Sequence, residues 1–513
     1  MKCLSVVTLL ISTCQCFKIL CLLPYPGKSH FMVFEPLIDE LVERGHHLTV
    51  VSFFPSHNQH PNRTDISLVP FAPLNVEVVD LSQIDYQFYG LERFTNQLSF
   101  NMKLAESNLN LCEKLINSQV FEEFIEGRGR YDVILYEAFN SDCMLGIIHN
   151  YGVPFIGLSS CVILPWFPAR LGAPSNPAYV PSLLLPFIDN MSFIERLQNT
   201  LHYFYINWWF ELSIRREEQK ILEKRFGRKL PLLEDVAGNT SALLINTHHT
   251  LNGVRVMPPS YVEIGGIHLH NKTVRPLPEH LEKWISDASE GFILLSFGSL
   301  IRGSTLPQKQ LNAILKVIGS LSQKVIWKWE TGHIDNIPSN AMVSKWLPQY
   351  DLLNHRKCVA FITHGGLLSL TEAMSAGVPT VIVAALGDQF GNAAHSHVHT
   401  GAPYMTLAEL DVERLQRALD TVLDHRQRAK AKHISELWHS RPTSPMDTAV
   451  FYVEQTAKFR RLHMSSHRRK MYYVQSYLID VIAFIVILIG TILAVAVWIC
   501  KRCKIMDKKE KLS

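Results

Sequence analysis

The sequence predicts an α/β protein in which two doubly wound, Rossmann-like domains face each other across a cleft. In the first half, FKILCLLPYPGKSH, FMVFEPLIDELVERG and HHLTVVSFF have the pattern of a strand, a helix and a strand, a unit that implies a parallel sheet with a right-handed crossover. In the second half, GFILLSFGSL, KVIWKWE, VAFITHGG and TVIVAAL are strand-like runs separated by helical stretches. A chain of 513 residues with 47% hydrophobic content is long enough for two cores.

Further elements extend the first domain, which we predict over residues 17–255. YDVILYEAF and VPFIGLSS are typical of later strands of the same sheet, and NSDCMLGIIHNYG between them is typical of a helix. The chain is aromatic and helical from Ile194 to Phe226, which suggests a lid or a pocket wall. A Pro- and Gly-rich linker is predicted over 256–285, and the second domain over 286–465.

Both ends of the chain carry apolar segments. Residues 1–16, with one Lys and an apolar core, are typical of a secretory signal peptide cut near Cys16; the alternative is a first core strand. An uncharged run within 478–500 predicts one transmembrane helix, and residues 501–513 a cytoplasmic tail. The signal peptide places the body in the lumen. Lys509 and Lys511 resemble the dilysine retrieval signal of endoplasmic reticulum proteins, or they belong to a solvated basic tail. We therefore expect a single-pass type I protein of the endoplasmic reticulum membrane.

Composition excludes some classes of partner. The formal net charge is only +4, and the sequence has no long Lys/Arg stripe with interleaved aromatics, so nucleic acid is a poor candidate. The ten cysteines show no metal-binding spacing and no pattern of a disulfide framework. Four sequons fit a lumenal body, and they begin at Asn62, Asn190, Asn239 and Asn271. The oligomeric state stays open, with a homo-oligomer among the alternatives.

A glycine turn in the second half has the features of an anion site. His364-Gly365-Gly366 follows the strand VAFIT and opens a helix that carries Ser369 and Glu372. Free backbone N–H groups at such a helix start can bind a diphosphate, and Ser299 and Ser369 can add hydroxyl donors. The alternative is that these glycines allow close packing of helix and strand. The sequence has no G-x-x-x-x-G-K-[ST] and no G-x-G-x-x-G after the first strand, which argues against a P-loop and an ordinary dinucleotide site.

The order of motifs is more specific than any one of them. W-L-P-Q is followed by F-I-T-H-G-G, S-x-x-E-A, A-G-V-P, G-D-Q and an Asn-Ala-x-His from Asn392. This order closely resembles the signature of the UDP-glycosyltransferases, in particular the animal membrane-bound UDP-glucuronosyltransferase and UDP-glucosyltransferase family. The resemblance implies a fold of the GT-B type and a UDP-sugar as the bound anion.

The resemblance also implies roles for individual residues. Uracil would stack on Trp346, for which a core Trp is the alternative, and Gln349 would contact the base or ribose. Glu372 would accept hydrogen bonds from ribose hydroxyls. The remaining donor contacts are His364, Gly366 and Ser369 with phosphate oxygens, and Asp388 and Gln389 with sugar hydroxyls. The alternative for Ser369 is a helix-surface serine. This sequence departs from the family at Leu368, where many members have Asn.

The resemblance places the catalytic base at His30, at the end of the first strand; a structural His or a helix cap is the alternative. A carboxylate should orient this histidine. The family's Asp corresponds here to Glu137, at the end of the strand DVILY, and Asp142 follows five residues later. We favour Asp142 slightly, because a short carboxylate at a helix start is well positioned. A simple N-cap role for Asp142 is the alternative.

The predicted function is inverting transfer of a hexose from a UDP-sugar to a hydroxyl of a small lipophilic acceptor, as in detoxification or conjugation. Glucose is favoured as the donor sugar and glucuronate is next. The UDP-sugar is a co-substrate, and neither a cofactor nor a metal is required. The aromatic segments VILPWFPARLG and YFYINWWFEL suit a lipophilic acceptor, although core or membrane-surface packing explains them equally well. The alternatives are another UDP-sugar enzyme such as an epimerase, and a non-catalytic lipophile-binding membrane protein.

Overall fold

The structure is a computed structural model that describes residues 16–74, 78–83, 91–460 and 467–510. The predicted signal peptide lies outside the described residues except for Cys16.

The described residues contain fifteen strands. In chain order they are β1 Lys18–Leu23, β2 His47–Ser52, β3 Arg63–Ser67, β4 Val79–Asp80, β5 Val133–Glu137, β6 Phe155–Ser159, β7 Ala242–Ile245, β8 Tyr261–Glu263, β9 Phe292–Ser296, β10 Ile301–Arg302, β11 Lys324–Lys328, β12 Ala341–Ser344, β13 Cys358–Thr363, β14 Thr380–Ala384 and β15 Tyr404–Thr406.

The α-helices alternate with most of these strands. They are α1 Lys28–Glu43, α2 Leu91–Ile116, α3 Glu122–Ile125, α4 Met144–Tyr151, α5 Phe193–Trp209, α6 Arg216–Phe226, α7 Leu233–Ala237, α8 His249–Asn252, α9 Glu279–Ser286, α10 Gln308–Gly319, α11 Gln349–Leu353, α12 Leu367–Ala376, α13 Gln389–Thr400, α14 Val412–Leu423, α15 His425–His439, α16 Pro445–Phe459, α17 Tyr473–Ser476 and α18 Ile479–Glu510.

The first sheet has seven parallel strands in the order β3-β2-β1-β5-β6-β7-β8. Its central strands are continuous apolar runs because helices cover both faces. Residues of α1 and α16 pack on one face, and residues of α2, α4 and α6 on the other.

The second sheet has six parallel strands in the order β12-β11-β9-β13-β14-β15. Apolar residues of α10 and α14 pack on one face. Those of α9, α11, α12 and α15 pack on the other. The predicted fold class, two doubly wound α/β domains, is confirmed.

Two segments cross from one domain to the other. β4, which follows the first three strands of the first sheet, pairs with β10 beside the second sheet, and Leu81 after it is buried in the second domain's core. In the opposite direction, α16 lies within the range predicted for the second domain but packs against the first sheet. The predicted domain boundaries stay predictions. Within the predicted linker, β8 is the last strand of the first sheet and α9 packs with the second.

The two aromatic segments predicted to border an acceptor meet in the structure. The ring of Trp166 stacks on that of Phe210, with centroids 4.0 Å apart and an interplanar angle of 4°. Phe210 begins a π-helical turn, Phe210–Arg215, that joins α5 to α6. Both rings are buried, so this part of the segments is core packing.

One disulfide was missed by the sequence prediction. Cys112, near the end of α2, is bonded to Cys143 at the start of α4, with their Cα atoms 5.9 Å apart. The two residues are separated by 31 positions, and packing within one apolar cluster of the first domain brings them together. The prediction that the cysteines form no disulfide framework is therefore incomplete.

The last described helix has the length and composition of a membrane span. Ile479–Arg502 within α18 comprises 24 residues, and its apolar side chains are exposed. It covers most of the segment predicted to cross the membrane.

Candidate active site

The predicted site residues lie at the carboxyl ends of parallel strands, where ligands bind in doubly wound sheets. In the first domain these are the ends of β1, β5 and β6. In the second domain they are the ends of β9, β13 and β14, together with the start of α11.

His30 lies in the first turn of α1, directly after β1. Its Nδ1 is 2.8 Å from Oε1 of Glu137 and 2.8 Å from Oγ of Ser160. The rings of Tyr25 and Phe139 contact the imidazole at centroid distances of 4.4 and 4.5 Å. An ionised carboxylate can accept hydrogen bonds but cannot donate them. Glu137 therefore favours the tautomer of His30 that carries the proton on Nδ1. Nε2 is then the basic nitrogen.

The preference for Asp142 as the partner of His30 is wrong. The buried carboxylate of Asp142 accepts hydrogen bonds from Arg170 at 2.9 and 2.5 Å and from Arg215 at 2.9 Å. Burial acts to raise the pKa of Asp142, but the charges of the two arginines outweigh it, and the net shift is downward. Asp142 therefore belongs to an internal ion-pair network, and Glu137 is the carboxylate that contacts His30.

A second buried carboxyl completes this network. Oε2 of Glu218 accepts a hydrogen bond from the backbone N–H of Asp142 at 2.8 Å, and its Oε1 lies 2.5 Å from Oγ of Ser141. Burial, together with the nearby charge of Asp142, raises the pKa of Glu218 to about 8. The surroundings of Glu218 therefore favour its protonated form.

On the second domain, two glycines enclose the ring of His364. Gly298 follows β9 with φ +79°, and a Cβ there would lie 2.6 Å from the imidazole. A Cβ on Gly366, the residue before α12, would lie 2.4 Å from it. Only glycine permits this approach of backbone to ring. The first backbone N–H groups of α12 have no partner within the helix, as the predicted anion site requires.

His364 is neutral at physiological pH. Burial lowers its pKa to about 4, and the charge of Lys328 adds to the effect. The ammonium of Lys328 donates to the carbonyl of Gly298 at 3.0 Å and to Glu330 at 2.9 Å. A buried cation thus lies directly behind the glycine turn.

Three predicted donor-site residues form one hydrogen-bonded group. The side-chain amide of Gln349 donates to Oε2 of Glu372 at 2.8 Å and to Oγ of Ser369 at 3.2 Å. Lys272 donates to the other carboxylate oxygen of Glu372 at 3.0 Å. Ser369 is buried, so its alternative as a helix-surface residue is wrong.

Trp346 is 64% exposed, which excludes its alternative as a core residue. The ammonium of Lys28, from the first domain, lies 5.3 Å from the centre of its ring. Leu368, at the position where the sequence departs from the family, packs against the apolar cluster that contains α1. These contacts show that the two halves of the site face each other.

The loop after β14 carries the last pair of predicted residues. Asp388 accepts a hydrogen bond from the amide of Asn392 at 2.9 Å. Burial raises the pKa of Asp388, against the effects of Asn392 and of the nearby His30. The side-chain oxygen of Gln389 accepts from the backbone N–H groups of Ala385 and Leu386 at 2.9 and 3.1 Å. In this structure Gln389 holds the loop, and Asp388 is the residue that approaches the opposite domain.

Ser299, the last predicted donor residue, is half-buried in the loop after β9, next to Gly298. Among the described residues, no group of three or more His, Cys, Asp or Glu side chains is arranged to hold a metal ion.

Sequence reasoning missed four residues that contact the predicted site. They are Ser160, Lys272, Lys328 and Asn392. Only Asn392 could have been found from the sequence, because it lies within the Asn-Ala-x-His motif. The other three are brought in from other strands or from the segment between the domains.

The fold and this cleft define the class of GT-B glycosyltransferases, and solved structures of that class resemble the chain. The glycotransferase of kitacinnamycin has a TM-score of 0.55 at 18% identity, with 86% of this chain and 99% of that chain covered. Arabidopsis thaliana UGT89C1 complexed with quercetin has a TM-score of 0.54 at 16% identity, with 87% and 100% covered.

Sequence comparison gives the family. Residues 19–511 match the family described as UDP-glucoronosyl and UDP-glucosyl transferase, and the chain belongs to it. UDP-glycosyltransferase UGT5 of Dactylopius coccus is 32% identical, with 95% of this chain and 92% of the relative covered. UDP-glucosyltransferase 2 of the same insect is 30% identical, with 97% and 95% covered. Human UDP-glucuronosyltransferase 2B15 is 28% identical, with 94% and 93% covered. The chain is a UDP-glycosyltransferase.

Proposed function

We propose that this enzyme transfers glucose, with inversion at the anomeric carbon, from UDP-glucose to a hydroxyl of a small lipophilic acceptor. The observation that carries the proposal is the pair formed by His30 and Glu137 on one wall of the cleft, which lies opposite Asp388 and the glycine turn at His364.

The proposed step is a direct displacement. Nε2 of His30 removes the proton of the acceptor hydroxyl, and the hydroxyl oxygen forms a bond to the anomeric carbon. The bond from that carbon to the diphosphate oxygen breaks, and UDP leaves with the electron pair. Glu137 stabilises the imidazolium that results. The N-terminal N–H groups of α12 and the cation of Lys328 stabilise the charge that develops on the diphosphate.

The nucleoside has its own set of contacts in this proposal. Uracil stacks on the exposed face of Trp346, from which the ammonium of Lys28 is displaced. Glu372 accepts hydrogen bonds from the ribose hydroxyls. Its two oxygens already accept from Gln349 and Lys272, but each carboxylate oxygen has two lone pairs, so both can accept a second donor.

Two features support glucose as the donor sugar. Asp388 presents a carboxylate where the sugar is expected, and a carboxylate attracts hydroxyl donors but repels the carboxylate of glucuronate. One of the relatives from Dactylopius coccus is named a UDP-glucosyltransferase. Glucuronate is the next candidate, because the human relative is a UDP-glucuronosyltransferase.

A mostly apolar pocket beside Glu137 supports a lipophilic acceptor. Its apolar lining includes Tyr25, Leu111, Phe139, Met144 and the disulfide of Cys112 with Cys143, and Asn108, Asn140 and Ser141 add polar groups. An acceptor held there lies next to the imidazole of His30, since Tyr25 and Phe139 contact both.

We propose that the enzyme is a single-pass protein of the endoplasmic reticulum membrane with a lumenal body. The disulfide supports an oxidising compartment. The asparagines of three sequons, Asn190, Asn239 and Asn271, are exposed and open to glycosylation. Removal of N-glycans from the microsomal protein and protection of its body from added protease test this topology.

The test of the function is turnover by the purified full-length enzyme with UDP-glucose and UDP-glucuronate in competition, using a mixture of phenols as acceptors. Preferential formation of glucosides supports the proposal, and glucuronides alone overturn the choice of sugar. His30→Ala should lower kcat by about 10²- to 10⁴-fold and leave UDP-glucose affinity unchanged. Retained turnover would remove His30 as the base.

A further inference from the structure

Helix α5 carries an exposed apolar surface, which we call the α5 stripe. Its members are Phe193, Ile194, Leu197, Leu201, Phe204, Tyr205 and Trp208, each between 40 and 68% exposed. Their spacing of three and four residues places them along one side of the helix. Single exposed apolar residues are ordinary, but a continuous patch of this kind marks an interaction surface.

The opposite side of α5 fixes the helix to the first domain. His202, Ile206 and Trp209 are buried. Asn199 is also buried, donates to the carbonyls of Pro177 and Val180 at 2.7 and 2.9 Å, and accepts from the N–H of Ser182 at 2.9 Å. The α5 stripe is therefore held in a fixed orientation, away from the core.

The segment that precedes the apolar helix α18 docks beside α5. Arg468 donates to the carbonyl of Ala173, and Arg469 to the carbonyl of Asp235 at 3.3 Å. Two residues after Ala173, the hydroxyl of Ser175 is hydrogen-bonded at 2.7 Å to that of Tyr203 in α5. One short stretch of chain thus contacts both the docked segment and α5.

The length of this connection limits how far α5 can lie from a bilayer. Ile479, the first residue of the span, lies eleven positions after Arg468. Fully extended, this stretch reaches at most about 40 Å. The true reach is shorter, because Tyr473–Ser476 is helical.

The residue types of the α5 stripe match an interfacial helix. Trp and Tyr are enriched at the level of the lipid headgroups, and Phe, Leu and Ile enter the acyl boundary.

We propose that the α5 stripe lies in the membrane interface, in the plane of the bilayer, as a second contact of the body with the membrane. The proposal rests on the membrane anchoring by α18 proposed above. The first domain would then contact the lipid surface directly through α5, in addition to its connection to the membrane through α18.

The test uses the full-length protein in phosphatidylcholine vesicles that contain a phosphatidylcholine with a photoactivatable diazirine in its acyl chain. After illumination, lipid adducts are mapped by mass spectrometry. Adducts are expected on residues 193–209 and on α18. The peptide of α15 around Leu437, an exposed leucine of the second domain, is the internal control and should carry none.

The outcomes are distinguishable. Adducts on α18 alone would overturn the interfacial contact of α5 and leave the anchoring by α18 supported. Adducts on neither helix would overturn both the contact and the anchoring. Turnover of UDP-glucose is measured separately. The double variant Leu201→Ser, Trp208→Ser should lose the adducts on 193–209 and keep those on α18, with UDP binding retained as evidence of folding. Leu437→Ser is the matched control and should change nothing. A wild-type dimer in detergent that this double variant converts to a monomer would assign the stripe to a second copy and overturn the proposal.

Discussion

At the scale of single residues, the hydrogen bond between Glu137 and His30 is the contact on which the proposed proton transfer depends most directly. Glu137→Gln keeps the size of the side chain but removes the charge that stabilises the imidazolium. We expect kcat to fall by about 10²- to 10⁴-fold with little change in the affinity for the UDP-sugar. Steady-state kinetics and calorimetric titration measure the two quantities. Wild-type kcat in this variant would show that Glu137 is only structural.

The sequence could not distinguish Glu137 from Asp142. Both lie near the end of one strand, and local pattern favours the shorter carboxylate at the helix start. The outcome is decided by Arg170 and Arg215, which lie 28 and 73 residues from Asp142 and bind its carboxylate. Such distant partners are set by tertiary packing. His30, by contrast, was predictable, since a strand end followed directly by a helix start fixes which edge of the sheet it occupies.

Trp346 provides a second test at this scale. Because its ring is exposed, Trp346→Ala should remove the stacking platform without leaving a core cavity. We expect a loss of about 1–3 kcal/mol in the binding free energy of UDP. Trp346→Tyr should restore part of it, and calorimetric titration with UDP measures both. Unchanged affinity in the alanine variant would place the uracil elsewhere.

At the scale of elements, the loop after β9 depends on Gly298. Gly298→Ala adds a Cβ at positive φ and against the ring of His364, so the glycine turn must shift. We expect turnover to fall by about 10²-fold, the typical effect of a displacement near 1 Å in a site.

Gly45 provides the matched control. It also has positive φ, +89°, but a Cβ there would meet no atom within 4 Å. Gly45→Ala should cost about 1–2 kcal/mol in the free energy of unfolding and leave turnover intact. Equal turnover in the two variants would show that the contact with His364 is not important.

Near the start of α6, the shifted pKa of Glu218 should make the stability of the folded protein depend on pH. The pKa of Glu218 is raised from an ordinary 4.5 to about 8 in the folded protein, first by burial and then by Asp142. The folded state therefore holds a proton that the unfolded chain loses, and this contribution, complete below about pH 4.5, is lost as the pH rises to about 8. Glu218→Gln keeps a neutral side chain at every pH. The melting temperature of this variant minus that of the wild type should increase between about pH 5 and pH 8.

The neighbour Glu217, which is half-buried and paired with Lys220, is the control for this measurement. Glu217→Gln lies on the same helix and should show no such trend. Parallel melting profiles for Glu218→Gln and the wild type would mean that Glu218 is ionised in the folded protein.

The predictability of each element follows from its burial. The sequence predicted β1, β5, β9 and β13 because a strand with helices on both faces is a continuous apolar run. It did not indicate β3, whose sequence RTDIS is polar. This strand lies at the edge of the first sheet, where Arg63 forms ion pairs with Asp39 and Asp65. An edge strand has no comparable apolar signal.

At the scale of the whole molecule, the disulfide joins two helices that cover the first sheet. Because it closes a loop of 31 residues, the chain-entropy relation gives a stabilisation of about 3–4 kcal/mol. Cys143→Ser, or reduction by dithiothreitol, should lower the melting temperature of the oxidised protein. Cys358→Ser, which removes a free thiol, is the control and should leave the response to dithiothreitol unchanged. Insensitivity of the wild type to reduction would contradict a stabilising role.

The return of α16 to the first sheet has a consequence for motion. The chain leaves the first domain near residue 264, builds the second sheet, and comes back through α16 before it reaches the span. In chain order the second domain is therefore inserted into the first, and it is joined to the first at both of its ends as well as through the pairing of β4 with β10. If the cleft opens to release UDP, we expect the second domain to move relative to α1, which carries His30 and belongs to the first domain.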